Sequence, residues 1–216
     1  MIEMNTDNTT VVICCAGMGT RLGIGTTKAL VSVCDKPLIL HQLELLKDYK
    51  DVRIVVGFQA EKVMKVVKQY RDDVMFAFNY EYESNGPAAS LSRGLVGAKE
   101  YVITIDGDLL VNPEDFRLFL DYQGECLAAS NITSDEPVLL SVEDGMAKSF
   151  LKKNSNFEWP GLAKIKKNKL QMGKGYIYET IQTLLPLKTI NIRARGIDTP
   201  DDYERTVEWV KNRYFN

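Results

Sequence analysis

From residue 11 to residue 122 the chain alternates short β-branched apolar runs with amphipathic stretches, and this alternation limits the fold more than any other feature. Residues 11–15 form a compact apolar run closed by Ala16-Gly17, as a buried strand entering a loop would. Leu38, Ile39, Leu43 and Leu46 recur at helical spacing within 38–49. Residues 53–56 form a second strand stopped by Gly57, and 61–70 carry Val63, Val66 and Val67 on one helical face. Residues 74–78 are a third strand, 88–96 a short helix after the Asn85-Gly86-Pro87 break, and 101–105 a fourth strand. Asn112 and Pro113 suit the cap and first position of a helix over 113–122. Such a rhythm predicts an α/β fold: a mainly parallel (mixed) central sheet flanked by helices.

The second half is less regular. Strands are expected over 126–130, 138–142, 146–151, 161–165 and 190–193, with Asp144-Gly145 turning a hairpin between the second and third. Residues 175–184 read as a helix. A last helix spans 200–214, capped by Thr199, with Tyr203, Val207 and Val210 inward. No repeat or linker interrupts the chain, so one domain over residues 1–216 is expected.

Composition excludes several classes. Hydrophobic residues are 45%, enough for a packed core, which rules out disorder of the whole. A net charge of −2 argues against a nucleic-acid binder. A denser basic stretch (Lys152, Lys153, Lys164, Lys166, Lys167, Lys169, Lys174) reads as a solvated face or as a local site for phosphorylated small molecules. Cys14, Cys15, Cys34 and Cys126 include no C-x-x-C pair, so neither a zinc nor a redox motif is signalled, and the pattern suits a reducing compartment. The polar opening over residues 1–10 lacks the basic start and apolar core of a signal peptide. No window approaches ~18 consecutive apolar residues, so no membrane span is expected and the cytoplasm is the expected location.

Three motifs carry chemistry. Gly17-Met18-Gly19-Thr20-Arg21-Leu22 follows the first strand directly, with Lys28 close behind. Glycines let ligand atoms approach the main chain, and successive free N–H groups form an anion-binding concavity. Arg21 can grip phosphate oxygens through paired hydrogen bonds, and Lys28 can add a point charge. The Rossmann pattern is absent because Arg21-Leu22 stands where a third glycine belongs, and the Walker pattern because Thr26-Thr27 intervene before Lys28. A flexible loop without a ligand is the other reading. Asp106-Gly107-Asp108 ends the fourth strand, where ligands bind in open α/β sheets, and a carboxylate there can hold Mg²⁺; a plain turn would read the same. Gly196-Ile197-Asp198-Thr199-Pro200 reads as an ordinary helix start, yet Asp198 precedes the cap and could face a site. His41, the only histidine, is expected to be a structural surface residue.

Taken in order, Ala16 to Leu22, Thr27 to Leu30 and Asp35 to Ile39 resemble the opening of the nucleotidyltransferase (NTP transferase) family, which includes sugar nucleotidyltransferases and related cytidylyltransferases. Val56-Gly57-Phe58-Gln59, the strand ending in Asp106-Gly107-Asp108, and Ile197 to Tyr203 resemble later family segments. Glu158-Trp159-Pro160-Gly161-Leu162-Ala163-Lys164, with Asn85 and Ser90, is similar to cytidylyltransferases acting on phosphocholine- or aminoethylphosphonate-like acceptors. Phe157-Glu158, where a glycine is more typical, departs from that pattern, and Asn85-Gly86-Pro87 has a look of the sugar enzymes.

The resemblance implies a nucleotide-diphospho-sugar transferase (Rossmann-like) fold. A nucleotide-binding half would span about 10–125 and an acceptor-binding half about 126–216. It implies that Ala16, Gly17, Gly19, Thr20, Gln59, Asn85, Ser90 and Asp106 bind the nucleotide and that Arg21 and Lys28 grip its triphosphate as catalytic residues. Asp108 and Asp198 would hold Mg²⁺, and Glu158, Gly161 and Lys164 would meet the acceptor. Trp159 and Tyr176 could enclose a quaternary amine. The implied reaction moves CMP from CTP to a small phosphorylated or phosphonate acceptor and releases pyrophosphate. A homodimer is also implied. A sugar-1-phosphate enzyme using UTP, GTP or dTTP and a catalytically inactive nucleotide-binding domain are the alternatives.

Overall fold

The structure, a computed structural model, describes residues 6–170 and 173–215, with side chains described through residue 212. The first five residues of the polar opening lie outside the described residues. The chain runs β1 (Thr9–Cys15), β2 (Ser32–Val33), β3 (Lys36–Pro37), α1 (Leu38–Leu45), β4 (Val52–Val56), α2 (Ala60–Tyr70), β5 (Met75–Phe78), α3 (Pro87–Gly94), β6 (Tyr101–Asp106), β7 (Leu109–Val111) and α4 (Pro113–Asp121). It continues through β8 (Cys126–Asn131), β9 (Leu139–Glu143), β10 (Met146–Leu151), β11 (Phe157–Glu158), β12 (Leu162–Lys166), α5 (Ile177–Gln182), β13 (Leu187–Asn191), β14 (Ala194–Gly196) and α6 (Pro200–Phe215).

Ten strands form one sheet in the order β11-β9-β10-β13-β8-β12-β6-β1-β4-β5. β6, β1, β4 and β5 run parallel to one another, as the strand–helix alternation requires. β12 enters antiparallel between β6 and β8 and makes the sheet mixed. β9 and β10 pair as the expected hairpin. Asp144 (φ 52°) and Gly145 (φ 70°) supply the two left-handed residues that a tight turn between twisted strands needs.

β1 is buried on both faces, which is why its run from Val11 to Cys15 is continuously apolar rather than alternating. Val11, Ile13 and Cys15 pack with Ile39 and Leu43 of α1 and Val63 and Val67 of α2. Val12 packs on the other face with Leu91 of α3 and Ile177 and Ile181 of α5. Gly94 makes that approach possible, since a Cβ there would sit 2.4 Å from Val12 Cγ1. α6 closes a third cluster through Val210, with Tyr203 and Val207 against Leu22, Val31 and Ile197.

Arg53 is a buried staple on β4. Its guanidinium donates to both Asp51 oxygens at 2.8 and 3.0 Å and to the carbonyls of Gly94, Val96 and Gly97. Burial alone would raise the Asp51 carboxyl, but hydrogen bonds from Arg53 and Thr10 outweigh it and hold the group below its ordinary value. The contribution of the pair is therefore present above the unfolded carboxylate range, near pH 4, and is lost only as pH falls through the lower folded value. Arg53→Met removes the charge and strands three carbonyls. Its expected cost is about 3 kcal/mol, read as a fall of roughly 6–12 °C in the thermal midpoint at neutral pH.

Several boundaries differ from expectation. α1 ends at Leu45 rather than 49, because Leu46 and Tyr49 are buried from a turn closed by Tyr49 N–H to Leu46 O at 3.0 Å. α5 is confined to Ile177–Gln182, with Tyr176 as its cap and the Glu179 carboxylate accepting from Tyr176 N–H. The strand expected at 190–193 runs instead over Leu187–Asn191, in register with β8. The caps at Asn112 and Thr199 stand as expected: Asn112 Oδ1 accepts from Glu114 and Asp115, and Thr199 Oγ1 from Asp202 N–H. His41 is buried at 6% exposure, not on the surface, because its ring turns inward to Val33 O at 2.9 Å.

Among the described residues no helix is long and apolar enough to cross a membrane.

Candidate active site

The glycine loop leaves the C-terminal end of β1 and crosses the top of the sheet. Gly19 (φ 63°) takes a left-handed conformation, and a Cβ there would lie 2.9 Å from Lys28 Cγ. The loop is anchored at both ends. Phe58 N–H donates to Ala16 O at 3.0 Å, and Gln59 bridges to Gly25 O and Thr26 Oγ1, each at 3.0 Å. Gln59 was expected to touch the nucleotide. Its amide is instead spent on the loop, and it does not line the cleft.

β6 delivers the carboxylates. Gly107 N–H donates to Cys14 O at 3.0 Å, and a Cβ at Gly107 would lie 2.6 Å from that oxygen, so only glycine permits this crossing. The turn is also gripped from below by Gln42 of α1, whose Nε2 donates to Asp106 O and Leu109 O at 2.8 Å each. Asp198 reaches the same point from far along the chain. Ile197 N–H donates to Asp108 O at 3.2 Å, and the buried Asp202 carboxylate accepts from the N–H groups of Asp198 and Thr199.

The result is a charged knot at the loop mouth. Lys28 Nζ donates to Asp108 at 2.7 Å and to Asp198 in a still shorter contact. Burial disfavours the Lys28 ammonium, but Asp108 and Asp198 outweigh it and leave the lysine above its ordinary value, hence cationic. Arg21 joins Asp198 to Glu136. Asp106, walled in beside them, is pushed well above the usual carboxylate range, first by burial and then by Asp108. Burial and the Asp108 charge also push the Cys15 thiol far up, so it stands as a neutral wall rather than a nucleophile.

Two hard carboxylates aimed at one cation suit magnesium, which takes one or two protein carboxylates and completes its shell with water and phosphate. Among the described residues no three His, Cys, Asp or Glu side chains cluster as a self-sufficient metal cage. The donor set of Asp108 and Asp198 therefore fits an ion shared with a phosphate ligand.

These groups border an open cleft of about 680 Å³, within the range of small-molecule sites. Ala16, Gly17, Gly19, Thr20, Arg21, Lys28, Asp106, Asp108 and Asp198 all line it. Asn85 and Ser90 also line it; Asn85 donates to Glu81 and Ser90 accepts from Asn79. Glu158 and Gly161 line it as well. Glu158 is buried, and its oxygens are taken by Thr133 N–H and hydroxyl, at 2.9 and 3.0 Å, and by the Ser134 hydroxyl. It shapes the 133–136 loop. Gly161 (φ 87°) lies so close to Asp106 that a Cβ would fall 2.2 Å from its Oδ2. Trp159 is buried with Nε1 donating to Leu162 O, whereas Tyr176 is exposed and stacked on Tyr178.

Lys164 is not in the cleft. Strand alternation places it on the face shared with Leu162, and its Nζ donates to Tyr122 O at 2.7 Å beyond the end of α4. Lys152, Lys153, Lys167, Lys169 and Lys174 are exposed, the solvated face of the two readings. Sequence reasoning missed Gln42 and Glu136. Glu136 stands in an ordinary-looking polar loop, and only the folded chain brings it to Arg21.

The sheet thus gathers a glycine loop, a lysine and two aspartates at its strand ends. The chain belongs to the family of MobA-like NTP transferase domains, whose model matches residues 11–153. Its fold resembles that of the CTP:phosphocholine cytidylyltransferase of Streptococcus pneumoniae, with a TM-score of 0.77 and 22% identity over 94% of this chain and 99% of that one. It also resembles the inositol-1-phosphate CTP transferase of T. maritima, with a TM-score of 0.76 and 18% identity over 95% of this chain and 96% of that one. In sequence it is 29% identical over 167 residues to the mannose-1-phosphate guanylyltransferase catalytic subunit beta of Drosophila pseudoobscura pseudoobscura, covering 70% of this chain and 45% of that protein. The chain spans about half or less of the length of the curated relatives it matches.

Proposed function

We propose that the protein transfers a nucleoside monophosphate, with CTP the favoured donor, to a small phosphorylated or phosphonate acceptor, releasing pyrophosphate. The observation that supports this reading is the convergence of Lys28, Arg21, Asp108 and Asp198 at the mouth of the glycine loop. In this reading residues 10–125 take the nucleotide and 126–216 the acceptor.

The loop N–H groups around Gly17 and Gly19 cradle the triphosphate, and Arg21 and Lys28 turn from their carboxylate partners to its oxygens. The acceptor oxygen attacks the α-phosphorus in line, a new P–O bond forms, and the bond to the bridging oxygen breaks with its electron pair leaving on pyrophosphate. The acceptor oxygen is already ionised, so no general base is required. What the chain supplies is alignment and cancellation of charge between two anions. Asp108 and Asp198 would hold Mg²⁺, which when bound would neutralise charge on the triphosphate and the leaving group. The cleft lining includes Tyr176, whose exposed ring suits the cationic head of a choline- or aminoethyl-type acceptor.

A second reading, transfer to a sugar 1-phosphate from UTP, GTP or dTTP, is favoured by the likeness to the guanylyltransferase. Pyrophosphate release with Mg²⁺ separates the two, measured with five nucleoside triphosphates against phosphocholine, aminoethylphosphonate and hexose 1-phosphates. Turnover is expected with CTP and a small amino-bearing acceptor. Turnover only with a hexose 1-phosphate and another nucleotide would replace this reading with the second.

A further inference from the structure

The turn from Asp106 to Leu109 is tied down along its whole length. Asp106 N–H donates to Gly161 O at 3.1 Å, Gly107 N–H to Cys14 O at 3.0 Å, and Asp108 O accepts from Ile197 N–H at 3.2 Å. Those contacts are backbone to backbone, so no change of side chain removes their partners. The carbonyls of Asp106 and Leu109 depend instead on one side chain, Gln42, whose Nε2 donates to both at 2.8 Å. An amide nitrogen carries two hydrogens, and here both are used. Asparagine would fall one methylene short, and glutamate or an apolar residue has no such pair of donors. Gln42 is itself held firmly. It is 5% exposed, on a helix fixed in the core by Leu38, Ile39 and Leu43.

We infer that Gln42 is a positioning residue for the metal carboxylates: its double grip fixes the backbone on both sides of Asp108 and so sets the spacing of Asp108 from Asp198. The inference rests on the reading that these two aspartates hold Mg²⁺. Magnesium demands short, nearly ideal oxygen geometry, so a pair of carboxylates delivered by different elements serves it only where both backbones are rigid. Asp198 has its own support in the buried Asp202 carboxylate, which accepts from the Asp198 and Thr199 N–H groups. Gln42 is the counterpart on the Asp108 side. It touches neither the cleft nor a ligand, and acts through the turn.

The test uses Gln42→Met, which keeps length and bulk but has no donor. Mn²⁺, which takes the same oxygen ligands, is titrated into the nucleotide-free protein and followed by water-proton relaxation. Its dissociation constant is expected to rise about tenfold, the usual cost of losing a group that orients a metal ligand. Binding of inorganic tripolyphosphate without metal should stay unchanged, since the glycine loop, Arg21 and Lys28 are intact. Leu43→Ala, on the same helix but turned into the core, is the control for simple destabilisation: it lowers the thermal midpoint and should leave Mn²⁺ binding as in the parent. Gln42→Ala leaves room for water at both carbonyls, so it serves should Gln42→Met fail to fold, and the same loss of Mn²⁺ affinity is expected. Unchanged Mn²⁺ binding in the Gln42 variants, or an equal loss in Leu43→Ala, would overturn the inference and leave the proposed function standing. Mn²⁺ binding by Asp108→Asn equal to that of the parent would instead remove the metal role of Asp108 from the proposed function, and this inference with it.

Discussion

Lys28→Ala is expected to lower turnover on the order of 10²- to 10³-fold, the usual loss when one aimed electrostatic stabiliser is removed. The argument starts from position. Lys28 opens a short 3-10 turn whose Ala29 is buried, so its backbone is fixed while its side chain reaches across the loop mouth. Its Nζ is held between two carboxylates from distant parts of the chain, and their charge outweighs burial to keep it protonated. In the proposed reading, a triphosphate entering with a divalent ion would offer each partner a better match: the ion would take the carboxylates and the lysine a phosphate oxygen. Removing the ammonium leaves the attacking anion facing unscreened negative charge. It also leaves Asp108 and Asp198 facing each other without a counter-charge, so Mg²⁺ alone should raise the thermal midpoint of Lys28→Ala more than that of the parent. Turnover within threefold of the parent would remove Lys28 from the catalytic role.

Asp108→Asn tests the opposite charge. The change is nearly isosteric, so the Gln42 grip on the turn and the Gly107 crossing should persist. What is lost is one of the two carboxylates that suit a divalent ion. Turnover should fall on the order of 10²-fold or more, and the residual activity should require a higher Mg²⁺ concentration. A fall in turnover with unchanged Mg²⁺ dependence would assign Asp108 to orienting Lys28 rather than to holding metal.

The parts of this arrangement that lie close together in sequence were legible before the fold. The apolar runs of β1, β4 and β6 are buried on both faces and so advertise a parallel sheet, and the glycines of 17–19 mark the loop that lines the cleft. Asp198 was legible through its setting, one residue ahead of a helix cap. What was not legible depends on which way a side chain turns in three dimensions. Lys164 belongs to a well-placed motif, but the alternation of β12 sends it to the Tyr122 carbonyl. Gln59 ends a family-like segment, but its left-handed backbone (φ 52°) directs the amide to the loop. The two-stranded pairing of β7 with β14, which carries Asp108 and Asp198 toward each other, involves strands too short for any periodic signal.

The central claim is that Lys28 and its two carboxylates exchange partners when a triphosphate and a metal arrive. A crystal structure with CTP and Mg²⁺ tests it most directly. The account predicts phosphate density over the Gly17–Gly19 backbone, Lys28 Nζ on a phosphate oxygen, and metal density between Asp108 and Asp198. Nucleotide bound elsewhere, or Lys28 still locked between the two aspartates beside a filled cleft, would contradict it.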